Sequence, residues 1–227
     1  MENLPLFIYL TFVFTLLLTI ILFYRASNYS KTFLLVVILT VSLQSYLGFN
    51  GFYRVRNVIP PRFPLLIAPS IIILMVLIIT KKGNDFIDSL NIKVLTILHS
   101  IRLLVELVLY WLFINKAVPG LLTFEGRNFD IFSGVSAPII YYFGFVKKRL
   151  SKFTILAWNF VCLGLLANVV FYSVLSSPTP FQRFAFDQPN IALGYFPFVL
   201  LPAIIVPIVL LSHIASIKQL IKNRKDT

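Results

Sequence analysis

One cysteine, two histidines and eight acidic residues are the whole supply of redox, metal and acid chemistry in these 227 residues. The lone Cys162 cannot form an internal disulfide, and zinc sites built from several Cys and His ligands are out of reach. Charged residues make up only 12% of the chain, against about a quarter in a soluble domain. No Gly-x-Ser-x-Gly elbow and no His-Glu-x-x-His pair occurs, which removes the common hydrolase and metalloprotease signatures. Residues 192–214 hold no lysine, so an opsin-like retinal linkage has no anchor there. Nothing calls for a cofactor.

What remains is apolar. Hydrophobic residues account for 59% and the mean hydropathy is +0.91, more apolar surface than a soluble core can hide. Lipid is the expected solvent, with roughly 20 apolar residues per crossing. The runs predict seven spans, near 4–24, 31–49, 64–80, 91–114, 130–146, 153–175 and 192–214, and leave no room for a large soluble domain. The first lacks the basic flank and cleavage site of a signal peptide and is expected to stay in place.

The net charge of +12 lies mainly in short loops beside apolar runs, which points to membrane orientation and anionic lipid, not to nucleic acid. With the N-terminus outside, the inner segments carry 13 Lys and Arg residues and the outer ones 6. That bias predicts an N-out, C-in protein of the bacterial inner membrane. The outer loops (50–63, 115–129, 176–191) are longer, and rich in proline and aromatics. Those aromatics suit interfacial anchors, while long loops of mixed charge also suit binding.

The two ends of the chain match one another. Phe63-Pro64, Pro69-Ser70-Ile71-Ile72 and Val76-Leu77 parallel Phe196-Pro197, Pro202-Ala203-Ile204-Ile205 and Val209-Leu210, seven identities in sixteen positions. Phe52-Tyr53-Arg54 parallels Phe181-Gln182-Arg183, and Ser30-Lys31 parallels Ser151-Lys152. Spans one to three then correspond to five to seven, with the fourth as connector. The alternative is chance similarity among apolar helices that begin with proline. A 3+1+3 layout of parallel triplets resembles the SWEET sugar facilitators and related vitamin-precursor transporters in topology over nearly the whole chain. Their Pro-Gln signature is absent, so no residue role carries over. Leu122 to Asp130 and Phe181 to Asn190 are similar to uncharacterised seven-span bacterial membrane proteins, which imply no activity.

The fourth span is the anomaly. It carries His99, Arg102 and Glu106, with His99 and Glu106 about 20° apart on the helical wheel. An arginine near mid-bilayer costs at least ~2.5–3.5 kcal/mol, so this face must point into protein or a wet cavity. One reading is an Arg102–Glu106 pair that pins the connector. The other is a substrate or proton site at the repeat interface, faced by Gln44, Tyr141, Asn159, Asn168 or Tyr172. Glu125, Arg127, Asn128 and Asp130 form a second cluster at the outer start of the fifth span. They read either as a helix cap and a local ion pair, or as an outer vestibule that Arg183 and Asp187 close. His213 is expected near the inner end of the seventh span, in a structural role.

The leading expectation is an all-α, seven-helix transporter of a small polar or anionic solute. His99, Arg102 and Glu106 would form its centre, and Glu125, Arg127, Asn128 and Asp130 its vestibule. A membrane-embedded enzyme acting on a lipid-type substrate through His99 and Glu106, or a structural or sensory subunit of an envelope complex, are the alternatives.

Overall fold

The computed structural model describes residues 4–55 and 61–225, with side chains as far as Lys222. Arg56 and Pro60 of the expected outer loop lie outside that range. All regular structure among the described residues is helical: α1 (Leu6–Ala26), α2 (Lys31–Phe49), α3 (Ala68–Ile79), α4 (Lys81–Ser89), α5 (Ile92–Leu98), α6 (Ile101–Ile114), α7 (Ile131–Tyr141), α8 (Lys152–Leu175) and α9 (Val206–Lys225). A π turn, Tyr142–Val146, extends α7, and another, Leu201–Ile205, leads into α9. Five segments are long and apolar enough to cross a membrane: α1, α2, Ile92–Ile114, α8 and Leu201–Lys222. The chain is a membrane protein. Ala68–Ile79 and Ile131–Val146 are shorter apolar helices, about 18 and 24 Å long at ~1.5 Å per residue.

α1 shows why such helices form and how they pack. Ile8, Phe12, Leu16, Thr19 and Phe23 recur at helical spacing and are buried, while Leu6, Leu10, Phe14, Leu17 and Ile21 on the other face are exposed. Both faces are apolar because one meets protein and the other lipid. Ser30 and Ser151, matched in the sequence repeat, both cap their helices, accepting from Phe33 N at 3.3 Å and Thr154 N at 3.1 Å.

The core sits on Leu201–Leu220, where α9 and its π turn are the most enclosed part of the fold. α8, α5, α3 and α4 contact α9, and both α1 and α7 lie along α5 and α6. Above α9 the chain is irregular yet buried. Residues 192–200 were expected to begin the seventh span; instead they form a short 3₁₀ turn, Ala192–Gly194, and further turns through a cis Phe196-Pro197 peptide. Phe198 packs on Phe12, Phe196 stacks on Phe49 at 4.1 Å, and Val199 fills the space left open by Gly48. Three prolines, at 197, 202 and 207, explain the delayed helix start, since each withholds a ladder donor. α9 correspondingly runs on to Lys225, past the expected end at 214.

Irregular backbone inside a membrane protein must find internal partners. Gln188 Nε2 donates to Phe113 O at 3.1 Å and to Val118 O at 2.6 Å, and Ala192 N donates to Ala117 O at 2.9 Å. The segments 115–130 and 176–200 thereby knit into one cap with a buried underside, whereas separate outer loops were expected. At its edge the buried Tyr53 hydroxyl donates to Gln44, and burial pushes that phenol up to about 12, so it stays a donor at ordinary pH.

The second departure lies at the opposite end. Residues 81–89, left between the expected spans 64–80 and 91–114, form α4, an amphipathic helix capped by Thr80. Gly83 permits the tight α3–α4 corner, because a Cβ there would stand 2.3 Å from Leu77 O. α9 grips α4: Lys218 and Lys222 reach Asp88 at 2.8 and 3.0 Å, and Gln219 Nε2 donates to the Ile87 and Leu90 carbonyls, both at 2.9 Å. The two ammonium groups hold the Asp88 carboxyl below its ordinary value. Its contribution is therefore complete above the unfolded carboxyl pKa of roughly 3.9 and fades as pH falls through the lower folded value. Asp88→Asn is expected to speed hydrogen exchange across 81–89 at neutral pH and leave 201–215 unchanged. In the wild type the same release is expected only well below pH ~4.

Candidate functional site

The helix from Ile92 to Ile114 carries Arg102 about 15 Å from its start and 18 Å from its end, hence at its middle. Just before it the ladder tightens: the N–H groups of Ser100, Arg102 and Leu103 bond to carbonyls three residues back, which separates α5 from α6 at His99 and Ser100. α7 approaches α6 more closely than side chains normally allow. A Cβ on Gly134 would lie 2.6 Å from Leu103 N, so only glycine fits. One turn earlier, Asp130 is thereby set opposite Arg102.

Arg102 is only 2% exposed and uses four N–H groups. Nε donates to Asp130 Oδ2 at 2.6 Å and Nη2 to Asp130 Oδ1, a two-point clamp on one carboxylate. Nη2 also donates to Cys162 O on α8 at 3.1 Å, and Nη1 meets His213 Nε2 on α9 at 3.0 Å. A guanidinium only donates, so His213 Nε2 accepts and Nδ1 carries the proton, given to Asn159 Oδ1 at 3.0 Å. Asn159 Nδ2 in turn donates to Ile155 O at 2.9 Å, which fixes the amide that way round. His213 is thus the neutral Nδ1–H tautomer, bridging α6 to α8.

His99 stacks on His213 with ring centroids 3.9 Å apart and planes 14° apart, and meets the edge of Trp158 at 5.6 Å. Neither of its ring nitrogens has a hydrogen-bond partner among the described residues, and the same holds for Glu106 Oε2. The other Glu106 oxygen accepts from Asn128 Nδ2 at 2.6 Å. Asn128 also donates to Leu122 O at 3.0 Å and accepts from Asp130 N at 3.0 Å, tying Glu106 to the ion pair. A buried polar group without a partner costs about 1–3 kcal/mol, so His99 and Glu106 mark where water or a ligand is wanted.

A cavity of about 60 Å³ reaches this cluster. Arg102, Glu106 and Asp130 form its polar base, and Val105, Leu166, Val170, Leu201, Val206 and Val209 are among its apolar walls. One water needs at least about 10–15 Å³ and drug-sized pockets span about 300–1,000 Å³, so this space takes a few waters and no sugar-sized solute. Among the described residues no three His, Cys, Asp or Glu side chains converge to hold a metal ion.

The structure brings five of the expected site residues together, His99, Arg102, Glu106, Asn128 and Asp130, and leaves two apart. Arg127 is exposed, donates to Tyr172 Oη at 2.9 Å and has its own carbonyl bound by Asn168 at 2.7 Å. Glu125, also exposed, interacts with the Tyr110 hydroxyl. Arg183 and Asp187 are exposed too and take no part in the cluster. The expected Arg102–Glu106 pair is replaced by Arg102–Asp130, because Asp130 arrives from another helix and meets the guanidinium fork at two points. Asp130 occupies the N-cap position of α7 but makes no capping bond, its carboxylate being taken by Arg102. His213 is fully buried rather than interfacial, since α9 starts late and places it mid-helix.

Fold and site together define a multi-span helical membrane protein with a buried charged centre. The chain belongs to the DUF8737 family: that family's profile, described as a domain of unknown function, matches residues 59–221 and so includes every residue of the cluster. No curated protein and no solved structure matches the chain.

Removing one member of a buried ion pair typically costs about 3–5 kcal/mol. Arg102→Met and Asp130→Leu alone are each expected to lower the thermal midpoint sharply in detergent, and the double variant to regain most of the loss. Gly134→Val is expected to destabilise by overpacking, about 1–3 kcal/mol, and to loosen the same helix pair.

Proposed function

We propose that the chain is a seven-span, N-out/C-in protein of the bacterial cell membrane that carries a small polar or anionic solute past the Arg102 cluster. The observation that carries this reading is the buried site itself: a charged, protein-enclosed centre joined to a cavity, with unpartnered polar atoms on His99 and Glu106. Intramembrane charges at helix interfaces are the usual setting of a transport site. The helices around it are interrupted nearby, at His99–Ser100, at the π turn after α7, and at Leu201–Ile205. Such interruptions give packed helices places to bend.

Two triplets around the Ile92–Ile114 helix account for further features. α1 and α7, counterparts in the repeat, both pack on that helix. Ser70 Oγ donates to Ala203 O at 2.6 Å, so the two matched segments touch at matched positions, as copies related by a two-fold axis do. The excess of lysine and arginine on one side supports the orientation, with anionic lipid as partner at the inner face and no role for nucleic acid.

In this conformation Asp130 occupies the Arg102 fork. An entering anion competes with Asp130 for Arg102, and the cavity widens where α8 lies along 201–209. A second reading, an enzyme acting on a lipid-type substrate with His99 and Glu106 as acid and base, is favoured by one feature: the half-exposed wall residues, among them Ile67, Val169, Val170, Val174 and Val206, are apolar apart from Ser173.

Osmotic-shock light scattering on proteoliposomes, with acetate, glycine and glycerol as test solutes, separates the two. Transport predicts faster entry of at least one solute than into empty vesicles, and Glu106→Gln and His99→Phe abolish that increase at unchanged folding. Equal permeability of all vesicles, together with turnover of a labelled phospholipid in the same preparation, would replace transport with the enzyme reading.

A further inference from the structure

A recess larger than the one at the charged cluster lies elsewhere in the described residues. It is a groove of about 770 Å³ between α2 and α3, with α4 across one end and α9 as its floor. Phe33, Val37, Ile73, Val76, Phe86 and Ile208 represent its walls. α8 packs tightly along α9, yet α2 and α3, their counterparts in the repeat, stand apart across this space. α3 is correspondingly under-packed. Only Ser70 and Leu74 on it are buried, while Ile73 and Val76, which face the groove, are 37% and 52% exposed.

Polarity in the groove is one-sided. Ser30 and Thr32, and Thr80, Lys81 and Lys82, gather where α2 begins and α3 gives way to α4. Further along, Thr40 and Ser70 turn their hydroxyls to the Val36 and Ala203 carbonyls, at 2.8 and 2.6 Å, so the wall they leave is apolar. Among the described residues no acidic side chain lines the groove. A long apolar slot ending in two exposed ammonium groups is complementary to one kind of molecule in a bilayer: a lipid with acyl chains and a negatively charged phosphate head.

We infer that this groove holds an anionic glycerophospholipid, its acyl chain between α2 and α3 and its phosphate at Lys81 and Lys82. The bound chain completes the packing of α3 and props the first triplet open where the second is closed. This inference sharpens the general lipid contact proposed above to one site. It rests on the chain spanning the bilayer and does not depend on the solute reading.

Native mass spectrometry of the full chain, released from micelles containing phosphatidylglycerol or phosphatidylcholine of the same acyl composition, tests it. A single phosphatidylglycerol is expected to stay bound, and phosphatidylcholine to leave more readily. The double variant K81Q/K82Q is expected to weaken phosphatidylglycerol retention roughly ten- to thirty-fold, since each lysine near an anionic head contributes about 1 kcal/mol. Val76→Trp, at a position 52% exposed, is expected to fill the slot and remove both lipids, with elution on gel filtration unchanged. Retention that ignores both variants places the lipid elsewhere and overturns the inference. So does efficient Ile73→Cys cross-linking between two copies in native membranes, which puts a second protomer in the groove. Val76→Trp that loses lipid but keeps solute entry leaves the transport reading standing.

Discussion

A guanidinium in the middle of an apolar 23-residue helix sets the terms for everything around it. Left against acyl chains, Arg102 would cost several kcal/mol. The fold answers by bringing a carboxylate, a carbonyl and an imidazole to it from three other segments. Each of these needs its own support. Asp130 depends on Gly134, which lets α7 settle on the backbone of α6. His213 depends on Asn159 for its tautomer and on the late start of α9 for its depth. Asn128 depends on the cap, whose irregular backbone is satisfied internally.

The same constraint explains why the centre is both tight and incomplete. Arg102 has committed four donors, and its charge is balanced by Asp130. His99 and Glu106, beside it, keep polar atoms that nothing in the described protein meets. A purely structural network would be expected to satisfy all its members, because a half-satisfied one is worse than an apolar core. Of the two, Glu106 lies at the polar base of the cavity under its apolar walls, while His99 stacks behind it on His213.

Much of this is legible in the sequence, and the failures have physical causes. Long apolar runs locate α1, α2 and α8 to within about two residues, the last two opened by serine caps, because in lipid hydrophobic length alone selects a helix. Arg102, His99 and Glu106 stand out for the same energetic reason. The partner of Arg102 does not, since helical spacing favours Glu106 and only the α6–α7 approach through Gly134 brings Asp130 in. Asp130 and Asn128 are visible as charged and polar residues at the foot of a helix. Their depth is not, because the irregular 115–130 segment, buried only along its underside, carries no periodic signal. His213 is misplaced for a related reason: three prolines delay the last helix and so shift its midpoint. With the helix running from Leu201 to Lys225, not from 192 to 214, its central position follows by counting. α4 is hidden by its polarity, nine residues of amphipathic pattern that open on two lysines and end on a serine.

The claim on which the rest depends is that the Arg102 guanidinium is enclosed by protein and clamped to Asp130 in a bilayer. Solid-state NMR on the ¹³C,¹⁵N-arginine- and aspartate-labelled chain in lipid vesicles reads this directly. Dipolar recoupling is expected to show a guanidinium nitrogen within hydrogen-bonding distance of an aspartate carboxyl carbon. That correlation disappears in Asp130→Asn, and no magnetisation passes from acyl-chain protons to the Arg102 side chain. Strong transfer from the acyl chains without any carboxyl correlation would place Arg102 against lipid and contradict the account.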